Sequence, residues 1–207
     1  MKQMVLSTEK LTKVFDSFLS GIQSIEDDTR RKAIGQMMNE IGERLLSAPA
    51  SFKTTYHNCF RGGLAEHSLR VYKILDKLCD EYAPEIPNDT KIIVALFHDL
   101  GKIGDVNNDY YIPEDSTWHQ EKLGQYYKIN DEMTYMTHDV RSLFLLNHFN
   151  IDLTDDEYQA ILIHAGQYNE ENKPYKHKEC MLAVLLHMAD HLACSIERQK
   201  YKRFIGE

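Results

Sequence analysis

Apolar positions repeat at helical spacing along most of the chain, and glycine and proline are sparse. Apolar residues at i, i+3, i+4 and i+7 form one face of an α-helix. Thr154 and Glu157 have the spacing of a capping box at the start of one such segment. The pattern therefore predicts an all-α fold with helices at about 8–20, 27–47, 64–82, 89–101, 138–149, 155–165 and 177–201.

One long segment, at about 103–136, interrupts this pattern because it is polar, rich in aromatic residues and only weakly periodic. A loop of this length in a compact helical domain is often a functional loop or lid. Its tyrosines and its tryptophan could stack on a nucleotide base, or they could cover the helical core. We therefore expect a helical bundle with a long aromatic-rich loop insert.

Domain organisation follows from the absence of internal repeats and low-complexity segments in the sequence. The length of 207 residues suits one domain with a sizeable core. We expect a single domain over residues 1–207, with N-terminal helices in 1–50 and the core in about 55–195. The N-terminal helices could pack on that core or form a dimer interface, so a homo-oligomer is one of two alternatives.

Charge and hydropathy exclude some classes of partner. The formal net charge of -8 argues against an extended nucleic-acid surface, although a small nucleotide could still bind in a locally positive pocket. No apolar stretch approaches the roughly 20 residues that span a bilayer, and the N-terminus lacks the apolar segment of a signal peptide. We expect a cytoplasmic protein without a membrane partner. The four cysteines are widely separated, which is typical of reduced packing residues.

Several histidines and aspartates occupy the apolar faces or the ends of predicted helices. Any one of them could be a hydrogen-bonded core residue or a cap, but six on five successive helices are harder to explain in that way. Imidazole and carboxylate groups are ligands of divalent iron, manganese and zinc. A cation would also compensate the cost of burying carboxylates. The residues are His67, His98, Asp99, His138, His164 and Asp190.

The order of these residues resembles the HD superfamily of metal-dependent phosphohydrolases. The likeness lies in "GGLAEHSLRV" (62–71), "ALFHDLGK" (95–102) and "LHMADHLA", which ends at Ala193, and it covers roughly residues 55–195. It implies the HD-domain helical bundle and a hydrolase that uses a divalent metal. By motif, the resemblance assigns one metal ion to His67, His98, Asp99 and Asp190.

A second metal ion is suggested by the positions of His138 and His164. They are 26 residues apart, with Asp190 another 26 residues on, where two-metal HD phosphodiesterases and dinucleoside-polyphosphate hydrolases carry further histidines. Asp99 would then bridge the two ions. In the one-metal alternative, His138 or His164 contacts the phosphate or acts as a general acid. The resemblance therefore implies one or two ions from among Fe, Mn, Zn, Ni and Mg.

In such a site a metal-activated water attacks phosphorus. Lys102 is a candidate catalytic residue that stabilises charge on the phosphoryl oxygens, unless it is a solvated lysine at a helix end. Asp105 could transfer a proton or could only cap a turn. Arg61 and Arg141 are candidate substrate-binding residues because a guanidinium group matches phosphate oxygens. Either arginine could equally be a surface residue.

The leading hypothesis is a phosphohydrolase acting on a nucleotide or another small phosphorylated metabolite. The stretch "GGLAEHS" also resembles the HD part of certain 3′–5′ exoribonucleases, but the sequence shows no accompanying oligonucleotide-binding fold. Two alternatives lie outside hydrolysis. A six-ligand HD site resembles the di-iron oxygenase that cleaves myo-inositol, and a degenerate HD fold could serve as a nucleotide-sensing module.

Overall fold

Helices dominate the computed structural model, which describes residues 2–206 apart from the side chain of Tyr168. The predicted all-α class is confirmed. None of the helices in this part of the chain has both the length and the apolar character that crossing a bilayer requires. The helices are α1 (Thr8–Gln23), α2 (Asp28–Ser47), α3 (Gly63–Tyr82), α4 (Asn88–Phe97), α5 (Thr117–Leu123), α6 (His138–His148), α7 (Asp155–Ile163) and α8 (Met181–Ile205).

Helix α3 lies at the centre of the fold and packs against α1, α2, α4 and α8. Its inward face carries Val71 and Leu75, both fully buried. Phe18 of α1 and Met37 of α2 are also fully buried in the same hydrophobic core. The N-terminal helices therefore pack on the core, which was one of the two arrangements that the sequence left open.

The fourth predicted helix, at 89–101, is shorter than expected. Helix α4 ends at Phe97, and Leu100–Ile103 form a tighter 3₁₀ turn. A Cβ atom on Gly101 would lie 2.1 Å from the carbonyl oxygen of His138, so this glycine permits α6 to approach closely. His98 and Asp99 therefore lie where α4, the 3₁₀ turn and α6 meet.

The start of the last predicted helix, at 177, is also wrong. Helix α8 begins at Met181 and extends to Ile205. His177 has a φ of 63°, a left-handed conformation that an α-helix cannot include. The helix therefore starts only after this turn, and its C-terminal part is longer than predicted.

The insert is not a simple loop, which corrects the prediction for about 103–136. Strands β1 (Tyr111–Pro113) and β2 (Tyr127–Ile129) form an antiparallel pair, with α5 between them. The backbone amides of Tyr126 and Tyr127 donate to the carbonyl oxygen of Phe52, which ties the insert to the loop before α3. Elements of only three to seven residues are too short to produce a clear periodicity in the sequence.

Candidate metal centre

Side chains from five helical segments converge on one buried site. His67 lies on α3, His98 and Asp99 follow α4, and Asp190 lies on α8. The remaining two are the first residue of α6, His138, and the residue directly after α7, His164. The structure thus brings together all six residues to which the sequence assigned a metal.

The first group of donors surrounds Oδ2 of Asp99. This oxygen lies 3.6 Å from Nε2 of His67 and 3.5 Å from Nε2 of His98. Oδ1 of Asp190 lies 3.0 Å from the same nitrogen of His67 and 4.0 Å from that of His98. Two imidazole nitrogens and two carboxylates therefore face one small volume. We call His67, His98 and Asp190 the His67 group, and Asp99 faces it through Oδ2.

The second group surrounds the other oxygen of the same carboxylate. Oδ1 of Asp99 lies 3.4 Å from Nε2 of His138 and 3.4 Å from Nε2 of His164. The two imidazole nitrogens are 3.3 Å apart. These two histidines form the His138 group, and the Asp99 carboxylate lies between it and the His67 group.

Backbone carbonyls near the helix ends orient two of the rings. Nδ1 of His98 lies 2.9 Å from the carbonyl oxygen of Ala95, and Nδ1 of His164 lies 2.7 Å from that of Ile161. Each acceptor is three residues earlier in the chain, so the helix end itself fixes the ring. With Nδ1 donating, Nε2 is left as the nitrogen that faces the cluster, as in metal-binding histidines.

Glu197 orients His67, a role that the sequence analysis missed. Its side chain is fully buried, with Oε2 3.1 Å from Nδ1 of His67 and Oε1 3.0 Å from Nε of Arg70. Glu197 follows Asp190 by seven residues and so lies on the same face of α8, which is a signal that the sequence contained.

His187 of α8 also contacts the site. Its Nδ1 lies 2.8 Å from the carbonyl oxygen of His164, a backbone atom at the end of α7.

Burial keeps two of the imidazoles neutral. It lowers the pKa of His98 to about 3 and the pKa of His138 to about 4, because the charged form loses its hydration. Both rings therefore present a lone pair at neutral pH. A neutral imidazole is the form that binds a metal ion.

His67 behaves differently because carboxylates flank it on both sides. Burial opposes its charged form, but Glu197 and Asp190 outweigh burial and raise the pKa of His67 to about 10. Burial also opposes the ionised form of Asp99, yet the Lys102 ammonium holds the pKa of Asp99 well below its usual range. In the metal-free chain the negative charge at the site is therefore balanced by protons and by Lys102.

The donor set fits a divalent cation. Nε2 of His67, Nε2 of His98 and Oδ1 of Asp99 are buried without a hydrogen bond of regular geometry in the described part of the chain. Buried polar atoms are rarely left in this state unless an ion or water satisfies them. Ligand atoms from His98, Asp99 and His164 all lie within 4.8 Å of one another. Imidazole and carboxylate groups suit Fe, Mn and Zn.

Lys102 is the one predicted catalytic residue that contacts the cluster. Its Nζ lies 2.6 Å from Oδ2 of Asp99, and only 11% of its side chain is exposed. Burial alone would lower the pKa of Lys102, but Asp99 outweighs burial and raises it. Tyr111 of the insert also lies near this ammonium group, and its ring is 6.4 Å from that of Phe52. Tyr111 of the insert is therefore within electrostatic range of the Lys102 ammonium group.

Asp105, Arg61 and Arg141 occupy other positions. Oδ1 of Asp105 accepts hydrogen bonds from the backbone amides of Asn107 and Asn108, so Asp105 caps a turn. Arg141 is buried and donates to the carbonyl oxygen of Thr134, at the end of the insert. Arg61 is exposed just before α3. Within the described residues, none of the three forms a hydrogen bond or ion pair with the six clustered side chains.

A comparison with protein families gives one match. The model described as HD domain matches residues 64–194, which is more than half of the chain and includes all six clustered residues. No curated protein and no solved structure matches the chain significantly. The family match and the buried cluster coincide in position.

Proposed function

This chain belongs to the HD domain family, and we propose that it is a metal-dependent phosphohydrolase acting on a nucleotide or a related small phosphorylated metabolite. The bond it cleaves would be a phosphoester or a phosphoanhydride. The observation that carries the proposal is the Asp99 carboxylate, whose two oxygens face two separate groups of histidines at 3.4 to 3.6 Å. That arrangement suits a pair of cations that share one carboxylate.

The residues of the two groups would hold the ions. The His67 group would hold one ion, the His138 group would hold a second, and Asp99 would serve both. When bound, divalent ions supply Lewis acidity and lower the pKa of a water that can attack phosphorus near neutral pH. Ions held in pairs can also contact both the attacking and the leaving oxygen.

The chain itself supplies a positive charge and an open side. Lys102 stays protonated next to Asp99, so its ammonium can bind a nonbridging phosphoryl oxygen as charge develops there. The side chain of His138 is 30% exposed and that of Asp190 is 17% exposed, whereas those of His67, His98, Asp99 and His164 are at most 2% exposed. Substrate would therefore approach past His138 and Asp190.

The insert supports a nucleotide as the substrate. Tyr111 lies near Lys102. Burial is the main cause that raises the pKa of Tyr111, so its hydroxyl group remains protonated at neutral pH. An aromatic side chain next to a phosphate-binding cation is suited to stacking on a base. The formal charge of -8 disfavours a long nucleic-acid substrate, for which a basic surface is usual.

The experiment is a panel of nucleotides and small phosphoesters incubated with the chain and added Mn²⁺ or Fe²⁺. Release of phosphate and of pyrophosphate is measured separately, because the products identify the bond that is cut. We expect turnover that disappears in Asp99→Ala and persists in Asp152→Ala, a control at an exposed position. No release from any compound by the metal-loaded chain would overturn the proposal. Oxygen consumption with myo-inositol would instead favour the di-iron oxygenase.

A further inference from the structure

A third imidazole faces the His67 group from the loop before α3. The ring centroid of His57 lies 4.8 Å from that of His67. Its Nε2 is buried and has no hydrogen-bond partner in the described part of the chain. The carbonyl oxygen of His57 accepts a hydrogen bond of 2.6 Å from the hydroxyl of Ser51, which fixes the backbone at this point. The unpartnered nitrogen is therefore held in place next to the cluster.

A cysteine of α8 lies close to this histidine. Cys194 lies one helical turn after Asp190 on α8, and its Sγ is 3.4 Å from Oδ1 of Asp190. Ligand atoms of His57, His67 and Cys194 all lie within 4.8 Å of one another. We call these three residues the thiol corner. Two nitrogens and one sulfur at these separations need only small shifts to reach one ion, since Zn–N and Zn–S bonds are about 2.1 and about 2.3 Å.

His67 belongs both to this corner and to the His67 group. Its Nδ1 is engaged by Glu197, so only Nε2 is available for a cation. One nitrogen binds one ion, and therefore the two donor sets are alternatives for the same ion. The set with His98 and Asp99 contains only nitrogen and oxygen, whereas the thiol corner adds sulfur.

We propose that the thiol corner is a second position for the cation bound at His67, and that it selects borderline-soft ions such as Zn²⁺ or Co²⁺. The inference rests on the metal centre of the proposed function. Sulfur and imidazole ligands favour these ions, whereas oxygen-rich sets suit Mg²⁺ and Mn²⁺. As the metal–sulfur bond forms, the thiol proton of Cys194 is released to solvent, so no oxidant or reductant is involved.

Cobalt is the probe, because a Co²⁺–thiolate bond adds a charge-transfer absorption band in the near ultraviolet. The metal-free chain is titrated with Co²⁺ under a reductant that contains no thiol, and binding is followed by the absorption spectrum. We expect the band in the wild type, its loss in Cys194→Ser and its retention in Cys180→Ser, a control at the residue directly before the same helix. We expect His57→Gln to diminish the band, because the thiol corner then holds the ion less strongly than the alternative position beside His98 does.

The outcomes separate this inference from the proposed function. Co²⁺ bound to the wild type without the band, or a band that persists in Cys194→Ser, would overturn the thiol corner and leave the metal centre intact. Failure of the wild type to bind Co²⁺ at all would overturn both. The wild-type spectrum decides the first question even where a variant fails to fold, and thermal melting of the metal-free variants identifies such a failure.

Discussion

The ammonium group of Lys102 lies 2.6 Å from Oδ2 of Asp99, the carboxylate that both histidine groups share. In the metal-free chain the Lys102 ammonium balances the negative charge of the buried Asp99 carboxylate. A divalent cation bound beside Asp99 would take over that balance, and the two positive charges would repel each other at short range. Lys102 would therefore compete with the metal ion, and in the proposed function its ammonium group would also bind the phosphate.

Replacing Lys102 with methionine separates these two effects. We expect Lys102→Met to bind divalent cations more tightly, because a competing charge is removed, and to lose about 100-fold in kcat, because a transition-state contact is lost. Calorimetric Kd values and kcat measure the two quantities. Lys128→Met is the control, since Lys128 pairs with Asp115 at the surface. Weaker metal binding with unchanged kcat would show that Lys102 only supports the fold.

The pH dependence of metal binding follows from His67. Its pKa is about 10, so the ring is protonated at neutral pH and that proton must leave before the ring can bind a cation through Nε2. Protons compete below this pKa, and the competition disappears above it. We expect the affinity to rise about tenfold per pH unit for each displaced proton, from about pH 6 to about pH 9. Calorimetry in two buffers of different ionisation enthalpy measures the protons released, and an affinity independent of pH would contradict the assignment.

Glu197 should matter for stability as well as for ring orientation. It is fully buried and accepts from both His67 and Arg70. Glu197→Gln removes the negative charge from a buried group of charges, and we expect the metal-free chain to lose about 3 kcal/mol of unfolding free energy. Urea denaturation measures this loss, with the exposed Glu85→Gln as control. Equal unfolding free energies of the two variants would contradict a stabilising role of Glu197.

Gly101 controls the approach of α6 to the Asp99 turn. A Cβ atom there would meet the carbonyl oxygen of His138 at 2.1 Å and Cβ of Arg141 at 2.8 Å. We expect Gly101→Ala to cost about 1–3 kcal/mol and to displace His138, which weakens the second ion more than the first. Thermal melting and metal content per chain measure these effects. Gly35→Ala is the control because a Cβ atom there meets nothing within 4 Å, and a stability loss as large in Gly35→Ala would contradict the steric explanation.

Local signals in the sequence predicted the elements whose length and caps are regular. The capping box is confirmed, with the amide of Glu157 donating to Oγ1 of Thr154 and the amide of Thr154 donating to Oε2 of Glu157. Helix α3 was predicted at 64–82 and begins one residue earlier. Helical periodicity is a property of neighbouring residues, so a single sequence is sufficient to detect it.

Features that depend on distant residues could not be predicted in this way. Helix α4 ends at Phe97, just before the point where Gly101 lies against α6, about 40 residues later in the chain. The approach of His57 to His67 requires the loop conformation before α3. The role of Glu197 was detectable from its spacing to Asp190, but the long side chain of a glutamate on a helix is usually solvated.

A metal centre built on Asp99 is tested by comparing phosphate release by the wild type and by Asp99→Asn, each incubated with Mn²⁺. This substitution keeps the shape of the side chain and removes the charge that both donor groups share. We expect Asp99→Asn to remain folded, to lose cation binding and to lose metal-dependent turnover at least about 100-fold, the scale of a lost transition-state contact. If the folded Asp99→Asn variant released phosphate at the same rate as the wild type, a metal centre built on Asp99 would be contradicted.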